Sequence, residues 1–229
     1  MTISIVIPVV NEQQRINSLI EHLKGVVGRG QEIQEPEIIV VDGDAEGSTL
    51  SAVADSHVIG ITAPQGRGVQ LAAGVSHATG EIILLLHADT QLPEHGVARV
   101  ADAVAGGADW GAFRLGIDAP GWAYRVIAWS VDVRCKLFAL PYGDQAVFVT
   151  RAALESVGGI PPIPLMEDVE LAWHLRKAGK RFILLPQRIR TSARRWQRDG
   201  IVRRTLHNWW LLVRYLTGVD PEHLAKEYR

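Results

Sequence analysis

Four short apolar runs in the first half of the chain constrain its fold more than any other feature. They are "ISIVIPV" (3–9), "PEIIVVDGD" (36–44), "HVIGIT" (57–62) and "EIILLLHAD" (81–89), each strand-sized and rich in Val, Ile and Leu. A run without polar alternation suits a strand covered on both faces, which is how strands of a parallel sheet are buried. Helical segments lie between the runs. Asn11 is placed to cap a first helix, with Gln14 as its capping-box partner and Ile16, Leu19, Ile20 and Leu23 along one face. "GRGVQLAAGVSHA" (66–78) reads as a loop entering a second helix, and another helix is expected after Pro93. Strand and helix in alternation imply parallel strands joined by right-handed crossovers. The expected class is therefore α/β, a mostly parallel central sheet flanked by helices.

Past residue 108 the regularity fades. "ADWGAFRLGID" (108–118) alternates like a half-buried strand, and 122–140 reads as a helix with a broad apolar face. A strand and a short helix fill 145–159, a helix capped by Gly179 fills 166–180, and a late strand covers 181–186. The last helix (199–218) carries Val202, Leu206, Trp209, Val213 and Leu216 at helical spacing, with Trp210 and Leu212 widening the stripe and Arg203, Arg204 and Arg214 beside it. Such a stripe packs into a core or rests on anionic lipid. No linker or repeat divides the chain, so one domain over 1–229 is expected.

Composition excludes several classes. A 47% hydrophobic and 21% charged make-up is that of a globular domain with a sizeable core. A net charge of −1 gives no field for nucleic acid. The one cysteine, Cys135, rules out an internal disulfide and a cysteine-based zinc site. The N-terminus lacks the flank and cleavage site of a signal peptide, and no run has the length of a membrane span, so a cytoplasmic chain is expected, at most peripheral to the inner membrane face. Charge is uneven, however. Eight arginines and one acid, Asp199, fall between Arg181 and Arg204, a stretch that calls for an anion.

Ligands of a parallel α/β sheet gather at the carboxyl ends of its strands. Three strands here end in groups that can do chemistry: Pro8 then Asn11 and Glu12; Asp42 and Asp44; His87 and Asp89. Each acid alone is an ordinary turn former. Three at one edge point to a site. His87 and Asp89 suit a divalent cation whose other ligands are phosphate oxygens. Glu167 and Asp168 open a helix, where the dipole favours acids, and one of the two is placed to act as general base. "YGDQ" adds Asp144 and Gln145 before a strand; "TSARRW" puts Arg194 and Arg195 beside Trp196, a fit for bidentate contacts to a diphosphate. "PQGRGVQ" (64–70) carries Arg67 between glycines, either a phosphate-cradling turn or a loop into a helix.

Taken in order, "SIVIPVVNE", "VVDGDAEGST", "LLLHADT", "GDQAVFV", "PLMEDVELAWHLRKAG" and "TSARRW" resemble glycosyltransferase family 2 over nearly the whole chain. The likeness is strongest to a small bacterial branch associated with radical-SAM/selenoprotein-type domains. It implies a GT-A fold, with a nucleotide-binding half (1–107) and an acceptor-binding half (108–229) that ends in the amphipathic helix. It implies an inverting, Mg²⁺- or Mn²⁺-dependent transfer from a nucleotide-diphosphate sugar to an acceptor hydroxyl, on a lipid-linked molecule in one version. Pro8, Glu12 and Asp42 fall where the family holds base and ribose; Asp44 is an extra acid beside them, grouped with the donor-binding residues. Asp89 is the last acid of its Asp-x-Asp metal motif, with His87 in place of the first. Asp168 is the expected base beside Glu167, with Asp144 and Gln145 on the acceptor side. Arg67, Arg194, Arg195 and Trp196 fall near the leaving diphosphate. Ser192 replaces the Gln of a Gln-x-x-Arg-Trp element, which points away from a processive synthase. A sugar-phosphate nucleotidyltransferase would open with a glycine-rich loop after the first strand, which "PVVNEQQR" is not; a non-catalytic nucleotide-sugar binder is the other alternative.

Overall fold

The computed structural model describes residues 1–26 and 34–228. Its strands are β1 (Ile3–Val9), β2 (Glu37–Asp42), β3 (Ile59–Thr62), β4 (Ile82–Leu85), β5 (Thr90–Gln91), β6 (Trp110–Arg114), β7 (Ile117–Asp118), β8 (Val147–Thr150), β9 (Phe182–Arg188) and β10 (Arg190–Ser192). Its helices are α1 (Ile16–Gly25), α2 (Arg67–His77), α3 (Gly96–Ala105), α4 (Trp122–Phe138), α5 (Arg151–Ser156), α6 (Glu167–Lys177), α7 (Arg194–Asp199), α8 (Ile201–Leu216) and α9 (Pro221–Glu227).

Seven strands form one sheet in the order β3-β2-β1-β4-β8-β6-β9. The pairs β1–β2, β1–β4, β2–β3 and β6–β9 are parallel; β8 runs antiparallel to both its neighbours. That reversal matters for the site. The chain entering β8 arrives at the edge where β1, β2 and β4 end. At the same edge β5, β7 and β10 follow closely on β4, β6 and β9 and pair into a second, three-stranded sheet. Residues from both halves of the sequence thus share one edge.

The apolar runs are buried on both faces, as their composition requires. Ile5, Ile7, Leu84, Phe113 and Phe148 pack with α1, α3 and α4 on one side, while Val6, Val41, Ile83, Trp110 and Val149 pack with α2, α5 and α6 on the other. A third, small cluster joins Leu165, Leu211 and Leu224 under α8 and α9.

Two expectations need correction. The first helix begins at Ile16, not after Asn11. Asn11 adopts a left-handed backbone (φ 56°), and the Glu12 carbonyl accepts the Arg15 and Ile16 amides, so a turn precedes the helix and no capping box forms. The apolar stripe of the final helix is also not core: Val202, Leu206, Trp209, Trp210, Val213 and Leu216 are exposed, and only Leu211 and Leu212 of its apolar residues are buried.

Helix α2 lies flush on the sheet because it has a glycine at the contact. A Cβ on Gly74 would sit 2.3 Å from Val6 Cγ1 and 2.8 Å from Val41 Cγ2. Gly74→Ala should therefore destabilise the fold by about 1–3 kcal/mol through overpacking. Chemical denaturation reads this loss, and adding Val6→Ala should recover part of it; no loss would mean that α2 rides higher than described.

Candidate active site

A cleft with a cavity volume of about 110 Å³ opens at the carboxyl edge of the sheet. Its walls come from five places in the sequence: Arg67 at the start of α2; His87 and Asp89 after β4; Tyr142 to Asp144 before β8; Met166 and Asp168 at the start of α6; and Thr191, Ser192 and Trp196 with Arg204, Asn208 and Tyr228 from the C-terminal segment. Chain topology accounts for the convergence. Three of these segments follow strand ends, and the Tyr142–Asp144 turn enters the antiparallel strand from the same side.

The central contact is an arginine against two acids. Arg67 grips Glu167 through both carboxylate oxygens and reaches Asp168 Oδ2 at 3.4 Å. Loss of water opposes the Arg67 charge, but Glu167 and Asp168 outweigh it and raise its pKa. Burial pushes the Glu167 carboxyl up to about 7, with Arg67 pulling it down and Asp168 adding to the rise. Glu167 is 2% exposed and lies behind the cleft wall, so it positions Arg67 and is not itself a catalytic group. Asp168 does face the cleft. Its Oδ2 also accepts the Gly143 amide at 2.8 Å, and its Oδ1 accepts the Val169 amide at 2.8 Å. The carboxylate is thus aimed by two backbone amides.

Gly143 is required at this point. A side chain there would meet His87 Nε2 at 2.6 Å. That nitrogen is buried against the Gly143 turn, while the His87 residue lines the cleft two positions before Asp89. Asp89, a quarter exposed, lines the cleft, and Arg194 stands 3.9 Å from it and 3.9 Å from Glu12. No cluster of three or more ligand-type side chains is found among the described residues. A cation at Asp89 would therefore take most of its ligands from phosphate and water, as Mg²⁺ commonly does.

Four more expected residues lie together at the ends of β1 and β2, outside the cleft wall. Pro8 pairs with Val41. Glu12 donates its amide to Thr49 Oγ1. Asp42 is fully buried, and its carboxylate accepts the amides of Asp44 (3.0 Å), Thr49 (2.7 Å) and Leu50 (3.3 Å). It holds the 42–50 loop and is not an open nucleotide contact. Asp44 accepts the Glu46 amide within the same turn. Gln145 is also structural: it is buried, donates to the Phe113 carbonyl, and accepts from Tyr142 N–H and Arg134. It does not face an acceptor, whereas Asp144 does line the cleft. Arg194 and Trp196 are at the cleft; Arg195 lies between them in α7, and its side chain is outside the described residues.

The start of α2 is not an open phosphate cradle. The Gly68 amide donates to the Ile163 carbonyl, and Gly66 N–H to Gln70 Oε1. Gln70 in turn ties down the ends of β1 and β2 through Val9 O and Val41 O. Within the arginine-rich stretch several members are already engaged: Arg188 pairs with Asp132, Arg190 with Asp118, and Arg198 and Arg204 with Asp199. Sequence reasoning missed Tyr142, Asn208 and Tyr228 as cleft residues. Arg204 was legible only as one basic residue among many. It is buried, stacks 4.5 Å from the Tyr228 ring and lines the cleft.

The sequence profile described as glycosyl transferase family 2 matches residues 4–143. The chain belongs to that family. It is 34% identical over 108 residues to an undecaprenyl-phosphate 4-deoxy-4-formamido-L-arabinose transferase of Salmonella enteritidis, covering 43% of this chain and 32% of that protein. The counterpart from Sodalis glossinidius is 34% identical over 112 residues, covering 45% and 33%. The match thus spans about a third of the length of these relatives. Among solved structures, the mannosyltransferase PcManGT of Pyrobaculum calidifontis, in complex with GDP-Man and Mn²⁺, superposes with a TM-score of 0.66 at 19% identity over 91% of this chain and 59% of that one. TarS 1-349 of S. aureus in complex with UDP-GlcNAc gives 0.62 at 16% identity over 84% and 58%. The fold is GT-A.

Asp144 offers a test of cleft electrostatics. Burial, with Asp168 and Asp89 adding to it against Arg134 and Arg67, pushes its carboxyl up to about 6 from an ordinary 3.8. A raised carboxyl pKa means that the folded chain holds the proton more tightly than the unfolded one. Stability is then lost as pH rises from about 4 through about 6. In metal-free buffer Asp144→Asn should flatten that decline, gaining up to about 3 kcal/mol over wild type near pH 7. Denaturant titrations at several pH values measure it, and parallel curves for the two proteins would place Asp144 in open water.

Proposed function

We propose that this chain transfers a sugar from a nucleotide-diphosphate donor to an acceptor held in the cleft, with inversion at the anomeric carbon. One observation carries the reading: Asp89 and Asp168 come from distant segments yet face one cleft, with Arg67 and Arg194 beside them. Two chemical problems are solved by that pairing. The departing diphosphate gathers negative charge, which Arg194, released from its long contacts to Glu12 and Asp89, can meet bidentately. A divalent cation on Asp89, Mg²⁺ or Mn²⁺, would supply further charge stabilisation there. The acceptor hydroxyl is a weak nucleophile, and Asp168 is oriented to take its proton.

Pro8, Glu12 and Asp44 then form the edge that receives base and ribose, while Asp42 serves by shaping the loop beside them. Residues 1–107 thus supply the donor side and 108–229 most of the acceptor side, as parts of one domain. The complex of PcManGT with GDP-Man and Mn²⁺ and that of TarS with UDP-GlcNAc support a nucleotide-sugar donor. The undecaprenyl-phosphate transferases support a lipid-linked acceptor. A non-catalytic binder would have no use for an aimed, cleft-facing Asp168. Placement in the radical-SAM/selenoprotein-associated branch rests on the motif run alone.

A thermal-shift panel of UDP- and GDP-sugars, with and without Mn²⁺, comes first. The true donor should raise the melting temperature, and Asp89→Ala should remove the metal-dependent part. Asp168→Asn should then cut transfer by about 10²–10⁴ while donor binding is kept. Unchanged turnover in that variant rejects Asp168 as the base.

A further inference from the structure

Helix α8 has two working faces. Arg204, Asn208 and Leu211 recur at helical spacing and wall the cleft. On the opposite side of the helix Val202, Leu206, Trp209, Trp210 and Val213 are bare, with the two tryptophans 57% and 58% exposed. Helix α4 repeats the pattern: Trp122, Val126, Trp129 and Leu137 form an exposed stripe, with the tryptophans at 75% and 65%. The C-terminal ends of the two helices come to one open groove: Phe138 at the end of α4, Trp173 of α6 and Leu216 of α8 line it, with Glu170 and Asp220 as its acids.

Charge chooses the occupant. Helix α8 contains no acid, and the one acid of α4, Asp132, is buried against Arg188 at 2.8 Å. The polar neighbours of the apolar stripes are basic and exposed: Arg125 and Lys136 on α4, Arg203 on α8. Tryptophan and arginine around an apolar stripe suit the headgroup layer of an anionic bilayer. A second copy of this chain suits it less. A two-fold contact would set these basic residues against their own copies, with no acid on either helix surface to answer them.

We propose that the outer faces of α8 and α4 seat this protein on an anionic lipid surface, so that α8 lies between the bilayer and the cleft. The inference deepens the transfer reading, on which it rests for its purpose, by naming where a lipid-borne acceptor is met. Docking itself needs no donor and no turnover. Among the described residues no helix is long and apolar enough to cross a membrane.

The test is flotation of the full chain with phosphatidylcholine vesicles, plain or containing about one-third phosphatidylglycerol. The chain should float with the anionic vesicles and bind the plain ones at least about tenfold more weakly. Trp209→Ser/Trp210→Ser and Trp122→Ser/Trp129→Ser should each lower anionic binding by roughly tenfold or more. Both pairs are exposed, so thermal melts and donor-induced melting shifts should stay at wild-type values. Failure to float, equal flotation of the variants, or a dimer that the tryptophan variants abolish would each overturn the proposal. Donor binding without flotation would overturn docking alone; flotation with no donor in the panel bound would overturn the transfer reading alone.

Discussion

The contact between Arg67 and the first turn of α6 is the constraint on which the cleft depends. Glu167 and Asp168 are adjacent acids, one buried and the other nearly so, and two further acids, Asp89 and Asp144, line the same cavity. Burying a carboxylate without a partner costs several kcal/mol, so this group of acids could not assemble without a cation. Arg67 fills that need from the first residue of α2. Its backbone is held by neighbouring contacts: Gly68 donates to the Ile163 carbonyl, and a Cβ on Gly68 would lie 2.3 Å from that oxygen. The glycine lets the α2 terminus approach the 160–164 loop closely enough for the guanidinium to reach both acids. Arg204 in the cleft wall and Arg194 beside Asp89 add further positive charge around the same acids.

Two strained backbone positions adjoin the same cavity. Ala146 and Met166 adopt left-handed conformations, before β8 and before α6, as Asn11, His95 and Ala139 do elsewhere in the fold. Each costs about 1–3 kcal/mol for a residue other than glycine. Ala146 follows the turn that presents Asp144 and the Gly143 amide; Met166 immediately precedes Glu167 and Asp168. The same segments supply the Gly143 and Val169 amides that fix the Asp168 carboxylate.

The parts legible in the sequence were those with a local pattern. The β-branched runs gave the parallel strands, and the acids at their ends marked the working edge. Asp168 and Asp89 were found because their positions beside a helix start and a strand end are local facts. Asp42 and Gln145 look identical in sequence to open site residues, yet each is consumed by partners that no local pattern reveals: three amides of the 42–50 loop for Asp42, and the Phe113 carbonyl with Arg134 for Gln145. The antiparallel direction of β8 was hidden for the same reason, since strand direction depends on how the chain returns. Strands β5, β7 and β10 are two or three residues long and carry no period to read.

The amphipathic stripe of α8 shows a different limit. Periodicity says that a face is apolar, not what covers it. Here the cleft face carries Arg204 and Asn208, the helix is held by Leu211 packing with Leu165 and Leu224, and the bare face looks outward. Tyr215 of the same helix bonds Glu170, two residues beyond Asp168 in α6. Helix α8 is therefore joined directly to the helix that carries the proposed base. One helix thus carries the outward stripe on one side and cleft-lining residues on the other, with Tyr215 and Leu211 fastening it to α6 and to the segment before it.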